Sequence, residues 1–288
     1  MKITEKTINN VSVKPIVNNF KLEEAKVKGS SIVGGNPYHC TFLCAKRKSG
    51  KTNCLAEMIK RTTDKRTIFW IFCPTSKVDP TWISIIEYLE NRGNQVNVFD
   101  SIMEGRVNLL DEIVSDLSSP EEDKKKEDKP IVPLTNPIAM YYKDGELNPP
   151  LEMMEQVKNK KEYKPKKIAT SHTFIFDDIS QEMKNSGLVS LCKKSRHFKA
   201  SVYLSSQYVH DLQPQTIKQL DNFLCFRAFS RDKLNHIHNL LDLSIDLDKF
   251  IEIYDHVMRD AKFDFLFINV RDQTYRKNFN KLLEVDVF

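Results

Sequence analysis

Residues 41–52 read Thr-Phe-Leu-Cys-Ala-Lys-Arg-Lys-Ser-Gly-Lys-Thr, and this stretch decides the fold class of the 288-residue chain. An apolar run predicts a strand over 40–44, and a helical pattern follows over 53–61. The loop between them ends as a phosphate-binding P-loop ends. In such a loop, backbone N–H groups surround the phosphates, Lys51 reaches the β- and γ-phosphate oxygens, and the Thr52 hydroxyl coordinates Mg²⁺. Gly-Lys-Thr is common by chance, so the strand–loop–helix context carries the prediction of a nucleotide site.

The loop departs from the usual G-x-x-x-x-G-K-[ST] pattern in two ways. Ala45 stands where the first glycine belongs, and three consecutive cations follow it. A small residue can replace glycine where no positive φ is required. The predicted nucleotide-binding residues are those of the loop and the first helical position: Ala45, Lys46, Arg47, Lys48, Ser49, Gly50, Lys51, Thr52 and Asn53.

Composition restricts the class of protein. Hydrophobic residues make up 40% of the chain and charged residues 29%, which is typical of a soluble globular protein. No apolar run approaches the roughly 18 residues of a membrane span, and the first residues do not form a signal peptide, so we expect a protein on the cytosolic side. The six cysteines form no C-x-x-C pair and predict reduced core residues rather than a zinc site. The net charge of +5 is compatible with a polyanionic partner.

The chain divides by composition into an N-terminal extension over 1–36 and a main domain over 37–288, which carries the P-loop. Within the domain, 119–168 holds seven of the twelve prolines and a charged run over 121–129, which predicts a Pro/Lys-rich insertion. One helix is predicted inside it, at 151–159. The insertion is interpreted as a solvated loop or as a segment that contacts nucleic acid or a neighbouring subunit.

The rest of the domain alternates between strand and helix patterns, which predicts an α/β fold with a mostly parallel sheet. The predicted strands are 67–74, 95–99, 173–178, 200–206 and 223–229, and a final pair, 263–270 and 274–279, is expected to form an antiparallel edge. The predicted helices are 81–92, 107–117, one ending near 194, 232–241 and 246–260.

Asp177 and Asp178 end a buried apolar strand, and open α/β sheets bind ligands at the carboxyl edge. A P-loop NTPase needs one carboxylate for the Mg²⁺ shell and, for fast hydrolysis, another that polarises the attacking water. We assign the metal to Thr52 and Asp177, and the water to Asp178. The alternative is that Asp178 caps the following helix.

Gln207 follows the strand predicted over 200–206. If this strand lies between the P-loop strand and the aspartate strand, Gln207 lies beside the γ-phosphate, where it can orient water or report the nucleotide state. Ser205 and Ser206 offer hydroxyls nearby, or simply end the strand. This layout is typical of RecA-like motor ATPases, and the absence of an N-K-x-D tetrapeptide argues against a GTPase.

Cations near the γ-phosphate can stabilise the transition state of hydrolysis. Arg47 in the P-loop is the candidate for this role within the same chain. Arg196, Arg227 and Arg231 are the candidates to act on a neighbouring subunit.

Taken together, these motifs resemble the genome-packaging ATPases of poxviruses, other nucleocytoplasmic large DNA viruses, virophages and Polinton-like elements, within the FtsK–HerA superfamily. The motifs are the loop with Arg47, Cys-Pro-Thr at 73–75, the aspartate pair, and Ser-Arg-His at 195–197 leading to Ser-Ser-Gln at 205–207. The resemblance covers roughly 37–230.

This resemblance implies a RecA-like (ASCE) P-loop NTPase that uses ATP and Mg²⁺ to move double-stranded DNA into a preformed capsid. It further implies phosphate contacts without sequence selectivity, a ring of five or six subunits, a capsid or portal partner, and a location in the viral factory of the host cytoplasm or in the virion. Other interpretations are a cellular or plasmid translocase or helicase, a non-hydrolysing assembly scaffold, and a small-molecule kinase. A terminase would need a nuclease domain, for which the roughly 60 residues after Arg227 are too few.

Overall fold

The computed structural model describes residues 29–35, 38–118, 142–143, 146–147 and 171–284. The predicted N-terminal extension lies almost entirely outside the described residues, and so do most of the 119–168 insertion and its predicted helix at 151–159.

A mixed nine-stranded sheet forms the centre of the described structure, and two short hairpins lie outside it. The strands of the described structure are β1 Cys40–Cys44, β2 Ile68–Phe72, β3 Val96–Phe99, β4 Met103–Glu104, β5 Val107–Asn108, β6 Tyr142–Lys143, β7 Glu146–Leu147, β8 His172–Asp177, β9 Ala200–Ser206, β10 Asn222–Phe226, β11 Phe265–Asn269, β12 Thr274–Lys277 and β13 Lys281–Leu283. The order of strands in the sheet is β13-β12-β11-β10-β1-β9-β8-β2-β3, and the hairpins are β4–β5 and β6–β7.

Seven α-helices connect or flank these strands within the described residues. They are α1 Lys51–Thr62, α2 Pro80–Asn91, α3 Leu109–Ser118, α4 Ser186–Lys194, α5 Pro214–Ile217, α6 Arg231–Leu240 and α7 Leu247–Val257. The predicted α/β class is therefore confirmed.

The parallel part of the sheet brings the predicted site motifs to one edge. Strand β9 inserts between β1 and β8, with Cys44 level with Ser206 and Asp177 level with Ser205. The condition on which the placement of Gln207 depended, that this strand lies between the P-loop strand and the aspartate strand, is met. Because parallel strands share a direction, their carboxyl ends bring the P-loop, the aspartate pair and Gln207 together.

Side chains of the central strands alternate between two apolar layers. In β8, Phe174 and Phe176 belong to one core cluster while Ile175 belongs to the other. Helices α1 and α2 cover the second layer, whereas α4, α6 and α7 cover the first. Burial on both faces explains the continuous apolar runs in the sequence, since a one-sided sheet would alternate with polar residues.

Several element boundaries differ from prediction for local reasons. The strand predicted to reach residue 229 ends at Phe226, because Ala228 adopts a left-handed backbone with φ 78°. The helix predicted from residue 107 begins at Leu109, because Val107 and Asn108 pair with β4 instead. The antiparallel edge is confirmed, and β13 adds a strand that the sequence did not predict.

All six cysteines lie in described segments, and each is buried and free of disulfide bonds. In the same described segments, no helix combines the length and apolarity needed to cross a membrane.

Candidate active site

The P-loop takes its shape from a few backbone positions between β1 and α1. Gly50 has φ 89° and caps α1, and Lys48 also has a positive φ, 62°. Ala45 is buried and lies outside the left-handed region, and its N–H donates to the Ser206 carbonyl at 3.0 Å. An alanine therefore fits where the usual pattern has glycine, because this position needs no positive φ.

Lys51 joins the P-loop to the aspartate pair. Its Nζ lies 2.6 Å from Asp178 Oδ1 and 3.0 Å from Asp177 Oδ1. Burial alone would lower the pKa of Lys51, but the charges and hydrogen bonds of the two aspartates outweigh burial, so the pKa lies above its ordinary value. The lysine is therefore charged at neutral pH, and two carboxylates with one ammonium leave the group a net charge of −1.

The two aspartates differ in environment. The Asp177 side chain is 3% exposed, and its Oδ2 accepts a hydrogen bond of 3.0 Å from the indole Nε1 of Trp82. The Asp178 side chain is 42% exposed, and its backbone has φ 56°. The buried aspartate is therefore fixed in place, while the second one is accessible to water.

Asp178 is not a helix cap, so the alternative interpretation of this residue is wrong. Helix α4 begins at Ser186, and the Asn185 side chain caps it by accepting from the Gly187 N–H at 2.7 Å. Between Asp178 and α4 the chain forms a short 3₁₀ turn, Glu182–Lys184.

Trp82 was missed at the sequence level. It lies on α2, fully buried, and reaches Asp177 from a helix that packs on the sheet. The only sequence signal was its rarity, since the chain has two tryptophans.

Gln207 follows β9 directly, level with Ala45 and one strand away from the aspartates. Its carbonyl accepts from Lys233 Nζ at 2.8 Å, and this ammonium also lies 4.0 Å from the centre of the Phe229 ring. Lys233 on α6 is a second residue that the sequence did not indicate, because nothing in a helical Lys predicts a contact with a strand end.

Ser206 ties neighbouring strand ends together. Its buried hydroxyl contacts the hydroxyl of Ser180 at 3.1 Å and donates to the carboxylate of Asp211. Ser206 thus links the loop after β8 to the loop after β9. From sequence, this serine was considered only as a nearby hydroxyl or as the end of the strand.

The candidate cations occupy different places. The side chains of Lys46, Arg47 and Lys48 are exposed in the P-loop. Arg196 precedes β9 and pairs with Asp221 at 3.3 Å, at the amino edge of the sheet. A seven-residue strand separates it from the P-loop edge by about 23 Å, so any contact with a phosphate would be with that of another subunit.

The other two arginines lie on the P-loop side. Arg227 follows β10 and donates to the carbonyls of Met258 and Ala261. Arg231 is exposed and pairs with Asp248 at 2.5 Å.

The residues present fit Mg²⁺, which prefers oxygen ligands and shares its shell with substrate phosphates. Asp177 Oδ1 is buried and ion-paired with Lys51, yet it makes no hydrogen bond of acceptable angle to any described residue. Asp177 and the half-buried Thr52 hydroxyl are the residues that would hold the cation.

No known protein-family profile matches this chain, and no curated protein sequence matches it. Among solved structures, the chain is similar to the genome packaging NTPase B204 from Sulfolobus turreted icosahedral virus 2 in complex with AMP. The TM-score is 0.50 at 16% identity, over 84% of this chain and 97% of that one.

Two further structures are more distant. The same NTPase in complex with AMPPCP gives a TM-score of 0.48 at 17% identity, over 84% and 97% of the two chains. The cytoplasmic domain of the Type VII secretion ATPase EccC from Thermomonospora curvata gives 0.43 at 14% identity, over 81% of this chain and 24% of that one.

The chain and the NTPase of the AMP complex share a fold, with a TM-score of 0.50. At 16% identity this likeness establishes the fold. The chain therefore has the P-loop NTPase fold, and the neighbour that shares it is a viral genome-packaging NTPase, in agreement with the family that the motifs resemble.

Proposed function

We propose that this protein is an ATP-driven translocase of double-stranded DNA that packages a viral genome into a preformed capsid. The observation that carries the proposal is the contact of Lys51 with Asp177 and Asp178, at the sheet edge where β9 inserts between β1 and β8 and leads into Gln207. The fold shared with a viral packaging NTPase supports the same class.

The charge of the site supports binding of a nucleotide triphosphate with a divalent cation. The phosphates enter the loop over 45–52 and attract the Lys51 ammonium, which in the described arrangement is paired with the two aspartates. Mg²⁺ held by Thr52 and Asp177 neutralises the charge on the β- and γ-phosphates when it is bound. The net −1 of the lysine–aspartate group favours the arrival of a cation together with the nucleotide.

The same exchange prepares Asp178 for hydrolysis. In the described arrangement Lys51 hydrogen-bonds this carboxylate at 2.6 Å, which blocks its use as a base. Once Lys51 turns to the phosphates, the half-exposed carboxylate is free to accept a proton from water. Gln207 orients this water, and the hydrogen bond from Lys233 fixes the backbone of Gln207. Arg47 contributes charge from the same chain, and Arg196, Arg227 or Arg231 contributes it from the next subunit.

A packaging motor contacts DNA mainly through its phosphates, because it must pass any sequence of the genome. Its activity with DNA is therefore strongly salt-dependent. The ring of five or six subunits, the capsid or portal partner and the host-cytoplasm location belong to the same proposal.

Phosphate release from ATP tests the enzymatic part. The wild-type protein should hydrolyse ATP faster with double-stranded DNA, and added salt should suppress the stimulation. Asp178→Asn should keep nucleotide binding and lose roughly 100-fold or more of the rate, the usual contribution of a general base. Asp100→Asn is the matched control, since this exposed aspartate pairs with Lys77 and follows β3, four strands away from β1 in the sheet.

Three results would contradict the proposal. Undiminished hydrolysis in Asp178→Asn would remove the assigned base. ATP binding without any hydrolysis would favour the assembly scaffold. A strict monomer in sedimentation with ATP and DNA would exclude the ring.

A further inference from the structure

A cavity of about 410 Å³ lies directly beside the P-loop, between Gly50, the first turns of α1 and the ends of the antiparallel strands. Its apolar wall consists of Phe226, Phe265 and Phe279, with neighbouring ring centroids 5.2 and 5.0 Å apart. Phe226 and Phe265 are buried, and Phe279 is half-buried.

Phe263 is the exception in this wall. Its side chain is 57% exposed, although it lines a cavity formed by aromatic residues. The ring lies against the last loop glycine, since a Cβ on Gly50 would stand 3.3 Å from Phe263 Cδ1. An exposed ring at the mouth of a phosphate-binding loop offers a flat apolar face to whatever the loop binds.

The rim of the cavity is polar. Asn53 and Asn280 are exposed, and neither side-chain amide hydrogen-bonds another described residue. Glu57, one turn after Asn53 on α1, is engaged by Arg61 at 3.2 Å. The rim thus provides free amides, each with donors and an acceptor.

The position of the cavity relative to the sheet limits what can occupy it. On one side of β1 stand β9 and β8 with Gln207 and the aspartates, and on the other side stand β10 and β11. In the proposed function, phosphates held at Gly50 and Lys51 face the aspartates with their γ end. The rest of the nucleotide must therefore leave the loop on the side of the cavity.

We propose that this cavity binds the purine base of the nucleotide, stacked on Phe263 with its polar edge toward Asn53 and Asn280. The inference rests on the proposed function and deepens it by naming the part of the substrate that each wall contacts. Stacking on an aromatic ring stabilises the binding of any nucleobase, and a bicyclic purine has a larger stacking face than a pyrimidine. Amides can pair with either purine, so the cavity selects purines over pyrimidines more strongly than adenine over guanine.

Calorimetric titration with ATP, CTP and inorganic tripolyphosphate, each with Mg²⁺, tests this site. Phe263→Ala should weaken ATP binding about tenfold, the scale of one lost base–aromatic stack, and should leave tripolyphosphate affinity unchanged. The preference for ATP over CTP should shrink in the same variant, while Phe263→Trp should retain it. Leu282→Ala is the matched control, because this apolar residue is 60% exposed on β13 and does not line the cavity.

The outcomes separate the two proposals. If the wild-type protein binds neither ATP nor tripolyphosphate, the nucleotide function itself is wrong. If it binds tripolyphosphate normally but Phe263→Ala keeps the full ATP affinity, only the base site is overturned. Equal affinity of the wild-type protein for ATP and CTP overturns the purine assignment even if the alanine variant does not fold.

Discussion

The ion pair between Lys51 and Asp177 leads to a prediction about stability without nucleotide. Lys51→Met keeps much of the side-chain volume and removes the ammonium. Asp177, whose side chain is 3% exposed, then keeps only the indole hydrogen bond from Trp82. The substitution leaves a buried carboxylate without a counter-charge.

The expected loss follows from the burial of each partner. Breaking a buried ion pair by removing one partner typically costs about 3–5 kcal/mol. The Lys51 side chain is 10% exposed and that of Asp177 3%, so this pair belongs to the buried class. Asp178 is 42% exposed and can turn its carboxylate to water, so its pair with Lys51 adds little. We expect the free energy of unfolding to fall by about 3 kcal/mol.

Urea unfolding at neutral pH without nucleotide or Mg²⁺ measures this loss. Lys51→Met should be compared with Asp177→Asn and with the double variant, which removes both charges. Because the double variant buries no unpaired charge, it should recover most of the stability that Lys51→Met loses. Lys60→Met on the same helix is the control, since Lys60 is 43% exposed and should change stability by less than about 0.5 kcal/mol.

Two outcomes would refute this reasoning. One is a Lys51→Met variant as stable as the wild-type protein, because the ion pair would then contribute nothing to the nucleotide-free fold. The other is a double variant no more stable than Lys51→Met, because the loss would then come from packing rather than from the unpaired carboxylate.

Two further predictions concern buried polar groups. Trp82→Phe removes the hydrogen-bond donor to Asp177 and should lower the free energy of unfolding by about 2 kcal/mol. The same substitution should cost much less in an Asp177→Asn background. Equal losses in both backgrounds would show that the hydrogen bond is not the cause. Burial lowers the pKa of His39 to about 3, against about 6.5 when unfolded, so the unfolded chain binds the extra proton and stability falls as pH drops through this range. Below about pH 6, His39 should lower the free energy of unfolding by about 1.4 kcal/mol per pH unit. Urea unfolding at several pH values measures this dependence, and in His39→Gln the free energy of unfolding should fall less steeply with pH, by the contribution of one proton. An unchanged pH dependence in this variant would contradict a histidine that is buried in the neutral form.

Much of the fold could be predicted because its signals are local. The P-loop, the apolar runs of β1, β2, β8 and β9, and the turn from strand to helix at Gly50 are each contained in a short segment. Errors arose where local signals compete. The left-handed Ala228 ended β10 early, and β5 paired with β4 rather than extending α3.

The candidate site likewise contains some residues that local motifs predict and others that only the tertiary structure brings to it. Lys51, Thr52 and the aspartate pair follow from motif spacing, and the structure brings Lys51 and both aspartates into contact. Trp82 and Lys233 could not be found from sequence, because each acts on a residue far away in the chain. A helical tryptophan or lysine looks the same whether it reaches the site or not.

The sequence by itself predicted a P-loop, the residues that belong to it, and two carboxylates at the end of a buried strand. These features depend on the order of neighbouring residues, and neighbouring residues are what a sequence records. Tertiary structure alone decided that β9 separates β1 from β8, that Arg196 lies at the opposite edge from the P-loop, and that Phe263 faces a cavity beside Gly50. The reason is physical: strand order and side-chain proximity arise from burying both faces of one sheet, and that packing joins segments which the chain keeps far apart.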